Sequence, residues 1–201
     1  MARGRGSGTV TTRTTIRGLP VLVHNTRPDV ATDEVLRRLD ESLGLIARHA
    51  PHHFRRLPRD FSRILVQRYA CRGAYLPDQG DCLVELTFAV NPSFSAAQVA
   101  ATILHEAMHA RLHRLGFPME MADRARQERF CRRAEIEFGM AVPGGAPIVE
   151  RALAALDAPD HVVAPHIDPV LAARRVAEAD LTALGAPSWL ARLLAGRPRA
   201  R

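Results

Sequence analysis

The chain has 201 residues, 47 % of them apolar, a formal net charge of +7 and three cysteines. That length suits one domain with its own core, and no stretch approaches the ~18 apolar residues of a membrane span. The positive charge does not point to a nucleic-acid reader. All 28 basic residues are arginine, and five precede Asp29 while three follow Gly196, with no acid in either tail; residues 29–196 hold 20 arginines against all 21 acids. A folded reader carries its basic patch on the domain itself, so only weak nonspecific nucleic-acid contact by the Arg-rich tails is left open. Cys71, Cys82 and Cys131 are odd in number and form no CxxC pair, which fits reduced thiols. Leu19 to Val23 is too short for the apolar core of a signal peptide. A cytoplasmic protein of bacterial type is therefore expected, with no membrane association and an oligomeric state that composition does not fix.

In chain order, residues 1–15 read as a disordered basic tail, 16–196 as a single domain and 197–201 as a second basic tail. Ile16 to Val23 suits a short edge strand, because Pro20 cannot donate to a central ladder. Thr32 or Asp33 is placed to cap a helix reaching His49, with Val35, Leu36, Leu39, Leu43 and Ile46 at helical spacing. Pro51 ends it and a helical turn through Phe54 to Leu57 follows. His49, His52 and His53 read as an exposed helix end. Ile64 to Tyr69 has strand composition, and Arg72 to Asp81 reads as a turn in which Gly80 suits a positive φ. Cys82 to Val90 alternates: Cys82, Val84, Leu86, Phe88 and Val90 share one face, which predicts an edge or near-edge strand.

The stretch that organises the chain follows. Ser95 is an acceptable N-cap, and no Gly or Pro interrupts the chain from there to Gly116. Within this helix, His105-Glu106-Ala107-Met108-His109 reads HExxH. Residues four apart lie one above the other on a helix, so His105 and His109 can grip one Zn²⁺ while Glu106 leans toward its open position. The flanking Ile103, Leu104, Ala107 and Ala110 suit a dry surround, whereas Arg111 stands where a hydrophobic residue is more usual.

Two histidines hold zinc poorly, so a third protein ligand is expected from another element. A second long helix from about Met119 to Val142, stopped by Pro143-Gly144-Gly145, supplies it. Glu128, Cys131 and Glu135 fall on one face of that helix, and Glu137 points elsewhere. Glu128 is ranked ahead of Glu135 as the ligand, the other serving as an acceptor for a histidine N–H. Cys131 is a softer competitor, and the plain alternative for either acid is an ion pair, Glu128 with Arg124 or Arg132. The remaining chain reads as helices over roughly 146–156, 168–184 and 187–196, whose apolar faces are expected to pack.

This arrangement resembles the gluzincin branch of the zincin metallopeptidases over about residues 64–143. The spacing from His109 to Glu128 is similar to that of thermolysin-like members. The spacing to Glu135, and the stretch Ala134-Glu135-Ile136-Glu137-Phe138 ending at Pro143, are similar to the ImmA/IrrE intracellular peptidases. The Gly-x-x-His extension of metzincins is absent, since Leu112 and Leu115 stand there. The resemblance implies a mostly helical α+β fold, with a small mixed sheet packed on the HExxH helix and a second, ligand-bearing helix.

The expected function is that of a zinc metallopeptidase acting on a peptide or protein substrate, with Glu106 as general base toward a zinc-bound water. An extra donor to the oxyanion would come from among Tyr69, Tyr75, Arg124, His113, His161 and His166, and an extended peptide would pair with the strand at Leu83–Val90. The alternative is a non-catalytic zinc-binding regulatory or interaction protein on the same scaffold.

Overall fold

The computed structural model describes residues 9–163 and 168–196. The first eight residues, the tail 197–201 and His166 lie outside the described residues. Five strands form one sheet in the order β1-β2-β3-β5-β4: β1 (Val10–Ile16), β2 (Leu19–Asn25), β3 (Arg63–Gln67), β4 (Gly73–Leu76) and β5 (Asp81–Glu85). The helices are α1 (Thr32–His49), α2 (Pro51–Phe54), α3 (Leu57–Asp60), α4 (Leu86–Val90), α5 (Ala96–Arg114), α6 (Arg124–Ala141), α7 (Ala146–Leu156), α8 (Asp160–Val163), α9 (Pro169–Ala183) and α10 (Ser188–Ala195). The result is a mixed α+β fold, mostly helical, with a small sheet packed against helices.

The strand β1 takes in Val10 to Thr15 of the stretch expected to be a disordered tail. Its Thr-rich, β-branched sequence has strand propensity, and Arg17 and Gly18, at φ 50° and 84°, make the two-residue turn that folds it onto β2 from Ile16↔Leu19 to Val10↔Asn25. That pairing puts β2 inside the sheet and not at its edge. Pro20 is tolerated because the parallel ladder with β3 begins only at Val21↔Ile64.

Two further expectations are corrected beyond β3. The presumed turn at Arg72–Asp81 contains the strand β4, antiparallel to β5. The presumed strand Cys82–Val90 stops at Glu85, and Leu86–Val90 is helical. Glu85 causes the switch: its carboxylate accepts from the backbone N–H of Phe88 at 2.6 Å and caps α4. The alternating pattern runs on through Val90 because a one-turn helix also buries Leu86 and Phe88. Flanked by β3 and β4 and buried at all five positions, β5 has no free edge, so a substrate strand cannot pair along Leu83–Val90.

The α1 helix runs as expected, with Val35, Leu39, Leu43 and Ile46 in the core. Its N-cap, however, is Ala31, which makes no side-chain bond, and Thr32 and Asp33 lie inside the first turn. The C-terminal helices also match their sequence signals. Asp168 accepts from the N–H groups of Val170 and Leu171, and Gly185, at φ 93°, follows α9. Their apolar faces do not all pack: Leu171, Leu184, Leu193 and Trp189 are exposed, Trp189 at 70 %. Asp180 ties α9 to the sheet through Arg68 Nε at 2.7 Å and Arg27 Nη1 at 3.3 Å. Among the described residues no helix is long and apolar enough to cross a membrane.

The cluster His49, His52 and His53 is not uniformly exposed. His53 is buried, and its Nδ1 accepts from Arg111 Nη1 at 2.5 Å. Arg111 also donates through Nε to Asp60 at 2.8 Å. The arginine that breaks the hydrophobic pattern after HExxH thus ties α5 to α2 and α3. Burial, the Arg111 cation and neighbouring His52 push the His53 pKa down from 6.5 to about 4, against the opposing pull of Glu137.

Because that value is lowered, the unfolded chain takes up the proton first. The stabilisation is complete above about pH 6.5 and is lost as pH falls toward 4. In urea unfolding, the stability change between pH 7.5 and pH 5 is expected to be less favourable by about 2 kcal/mol in wild type than in His53→Asn. An equal change in the variant would assign it elsewhere.

Candidate metal centre

The site begins with a well-fixed helix. Ser95 accepts from the N–H of Gln98, and the Gln98 side chain accepts in return from the N–H of Ser95 at 2.9 Å, completing a capping box. The helix α5 is buried almost all round, from Ala96 to Leu112. It therefore lies within the body of the protein, between the sheet and α1 and α6. His105, Glu106 and His109 are all buried.

Crossing beside it, α6 turns Glu128, Cys131 and Glu135 inward, and all three are buried. Glu128 spans the two histidines: its Oε2 lies 3.1 Å from His105 Nε2 and its Oε1 3.3 Å from His109 Nε2. Glu135 meets the other side of the first imidazole, with Oε1 3.0 Å from His105 Nδ1. It is further held by Arg132 Nη1, at 2.9 and 3.0 Å from its two oxygens, and by Arg151 Nη2 at 3.4 Å. Glu128 also accepts from Arg124 Nε at 3.0 Å. Both acids thus meet arginines, Glu128 making the expected pairs with Arg124 and, at 3.8 Å, with Arg132. They differ in what else they face: Glu135 lies behind the histidine at Nδ1, while Glu128 faces the Nε2 atoms of both imidazoles.

The electrostatics follow. Burial opposes a charge on His105, but hydrogen bonds to Glu128 and Glu135 outweigh it and raise the pKa to about 10. Burial likewise raises Glu128 and Glu135, yet the histidines hold both down, Glu128 well below the usual carboxylate range and Glu135 to about 2. Carboxylates that keep a proton on an imidazole would favour a metal cation there in its stead. Both ring nitrogens of His109, a residue 2 % exposed, have no hydrogen-bond partner. The 3.3 Å approach to Glu128 is close enough for an ion pair but is not directed as a hydrogen bond. Buried imidazoles are seldom left so. Orphaned imidazole nitrogens, one of them facing a carboxylate, in a set of N and O donors fit a bound metal ion. Cys131 adds sulfur to this set, since donor atoms of His105, His109 and Cys131 lie within 4.8 Å of one another.

Glu106 makes none of these contacts. It lies toward the sheet, where a Cβ added at Gly73 would come within 3.1 Å of its Oε1 and 2.5 Å of Thr102 Cγ2. The absent side chain at Gly73 is what lets β4 close on α5. Cys71, just before β4, donates to the Gly73 carbonyl at 3.0 Å, and burial together with the Glu106 charge raises its thiol pKa to about 11. Further along the same strand, Tyr75 Oη lies 3.1 Å from His113 Nδ1, so His113 is tied to β4 at the edge of the HExxH face. The part played by Gly73 and the clamp of Arg151 on Glu135 had no sequence signal, because each is defined only by a neighbour remote in the chain.

A second group, His52, His53 and Glu137, also brings donor atoms within 4.8 Å. It is a poor metal site. With Nδ1 of His53 accepting from Arg111, the ring proton must sit on Nε2, the atom facing Glu137.

Comparison with family models, with curated proteins and with solved structures returns no match to this chain. Its fold and side chains by themselves define a mixed α+β protein with buried His/His/Glu and His/His/Cys clusters able to hold a metal ion.

Proposed function

We propose that this chain is a zinc-dependent hydrolase of zincin type, most simply a cytoplasmic metallopeptidase, with His105, His109 and Glu128 as metal ligands. The observation that carries the reading is the convergence of Glu128 on the Nε2 atoms of two histidines one helical turn apart, at 3.1 and 3.3 Å. Bound zinc supplies a Lewis acid that acidifies water and polarises a carbonyl. Everything else is the work of the chain. Glu135 accepts a hydrogen bond from the Nδ1–H of His105 and so leaves the Nε2 lone pair facing inward. Arg132 and Arg151 keep Glu135 in that position. Glu106 is a carboxylate on the next residue of the same helix, free of these contacts. It is suited to take a proton from water and return it to a leaving amine.

The sheet offers a place for a peptide. Among the described residues β4 is a terminal strand next to α5, and an extended segment pairing with it would pass along the HExxH helix. Of the expected oxyanion donors, Arg124 donates to Glu128 beside the histidines and Tyr69 lies within reach of the Glu106 charge, whereas His113 and Tyr75 are hydrogen-bonded to each other.

The test is metal loading read by stability and by turnover. Added Zn²⁺ at about 100 times its Kd is expected to stabilise wild-type apoprotein by about 2.7 kcal/mol, and His105→Ala and His109→Ala are expected not to respond. An unstructured protein such as casein should be cleaved by the zinc form alone. Equal stabilisation of the histidine variants would refute the ligand assignment. A second reading, a non-catalytic zinc protein on the same scaffold, is favoured by one observation: the thiol of Cys131 beside the histidines, since four protein donors make a closed site.

A further inference from the structure

Cys131 is wholly buried in the middle of α6, one turn from Glu128 and one from Glu135. Nothing in the hydrolase reading uses it. Its donor atom nevertheless belongs to the same compact group as His105 and His109, all within 4.8 Å, and the His109 nitrogens have no hydrogen-bond partner. Donor atoms bound to zinc at about 2.0–2.3 Å stand roughly 3.3–3.8 Å apart at tetrahedral angles, inside the 4.8 Å within which His105, His109 and Cys131 already gather, and Glu128 reaches the same two histidines. The set would be two imidazoles, one carboxylate and one thiolate, all protein donors. Catalytic zinc ordinarily has three protein ligands and an open position, whereas four protein ligands close the site.

We propose that Cys131 is a fourth protein ligand which, as thiolate, closes the metal site in its resting form, so that a small molecule or substrate reaches the ion only once the sulfur is displaced. The inference rests on the zinc-hydrolase reading above and adds a gate to it. Loss of the thiol proton on binding is the ordinary course for a cysteine at zinc. A sulfur donor is also the softest of the four, which favours Zn²⁺ over Mg²⁺ or Ca²⁺.

Cobalt is the probe, because its spectrum reads the donor set without any assay of turnover. Apoprotein is loaded with one equivalent of Co²⁺, and wild type is compared with Cys131→Ala and Cys131→Ser, the latter keeping the side-chain volume. Wild type is expected to show visible bands of a four-coordinate ion together with a near-ultraviolet thiolate-to-cobalt charge-transfer band. Both variants are expected to bind one equivalent of cobalt and lose the charge-transfer band. Acetohydroxamate, which needs an open coordination position, is expected to change the visible spectrum of the variants at concentrations at least tenfold below those needed for wild type.

A cobalt protein without the charge-transfer band would overturn the ligand assignment while leaving the His/His/Glu reading intact. A band present in wild type, with hydroxamate acting equally on all three proteins, would overturn the closure. Failure of wild type to bind cobalt or zinc at all would refute the metal reading itself and the gate with it.

Discussion

Glu106→Gln is expected to bind zinc as wild type does and to lose hydrolytic turnover by about 10²–10⁴-fold, the usual contribution of a positioned general base. The substitution keeps shape and volume and removes only the ability to take a proton. It should leave the metal in place, because none of the contacts among His105, His109, Glu128 and Glu135 involves this residue. It should leave the fold in place as well, since the side chain is neighboured by Gly73 through packing and makes no ion pair among the described residues. Elemental analysis and steady-state cleavage of casein, on one preparation each, separate the two properties. Undiminished turnover in the variant would exclude Glu106 as the base. A parallel loss of zinc would make it a structural residue.

The second large effect concerns the two acids of α6. Glu128→Ala is expected to reduce bound zinc from one equivalent to a small fraction. Glu135→Gln is expected to retain it with an affinity lowered by about 10–100-fold, the range for an outer hydrogen-bond partner of a ligand histidine. The distinction comes from what each carboxylate touches. Glu128 approaches the Nε2 atoms of His105 and His109 together, while Glu135 approaches only Nδ1 of His105 and is held back by Arg132 and Arg151. Zinc titration against a chromophoric chelator measures both affinities. If the two variants exchanged roles, the metal would lie on the Nδ1 side of His105 and the reading of the centre would have to be rebuilt there.

The sequence read alone carried the core of this site. Periodicity put His105 and His109 on one line of a helix, Ser95 set where that helix begins, and the spacing of Glu128, Cys131 and Glu135 gave them a common face. These are local regularities of a 3.6-residue turn, and they survive whatever the chain packs against. Element types at short segments were less legible. Cys82 to Val90 kept its alternation through a change from strand to helix, because five residues are too few for the two periods to diverge. Val10 to Thr15 reads as tail in the sequence because the turn that folds β1 back depends on Arg17 adopting a positive φ, which composition does not announce.

Distances between elements were decided only by tertiary structure. A helical face names three candidate donors but not which of them lies nearest an imidazole. That follows from how α6 crosses α5, and from Arg132 and Arg151 drawing Glu135 to one side. Likewise His53 reads as exposed beside His52 from its local sequence, whereas Arg111, 58 positions further along, donates to it in the folded protein. The chain's own order thus fixed the residues that can do chemistry, because helical spacing is a property of neighbours. The pairing of those residues across elements belongs to the packed core, because side chains far apart in sequence meet only when buried surfaces bring their backbones together.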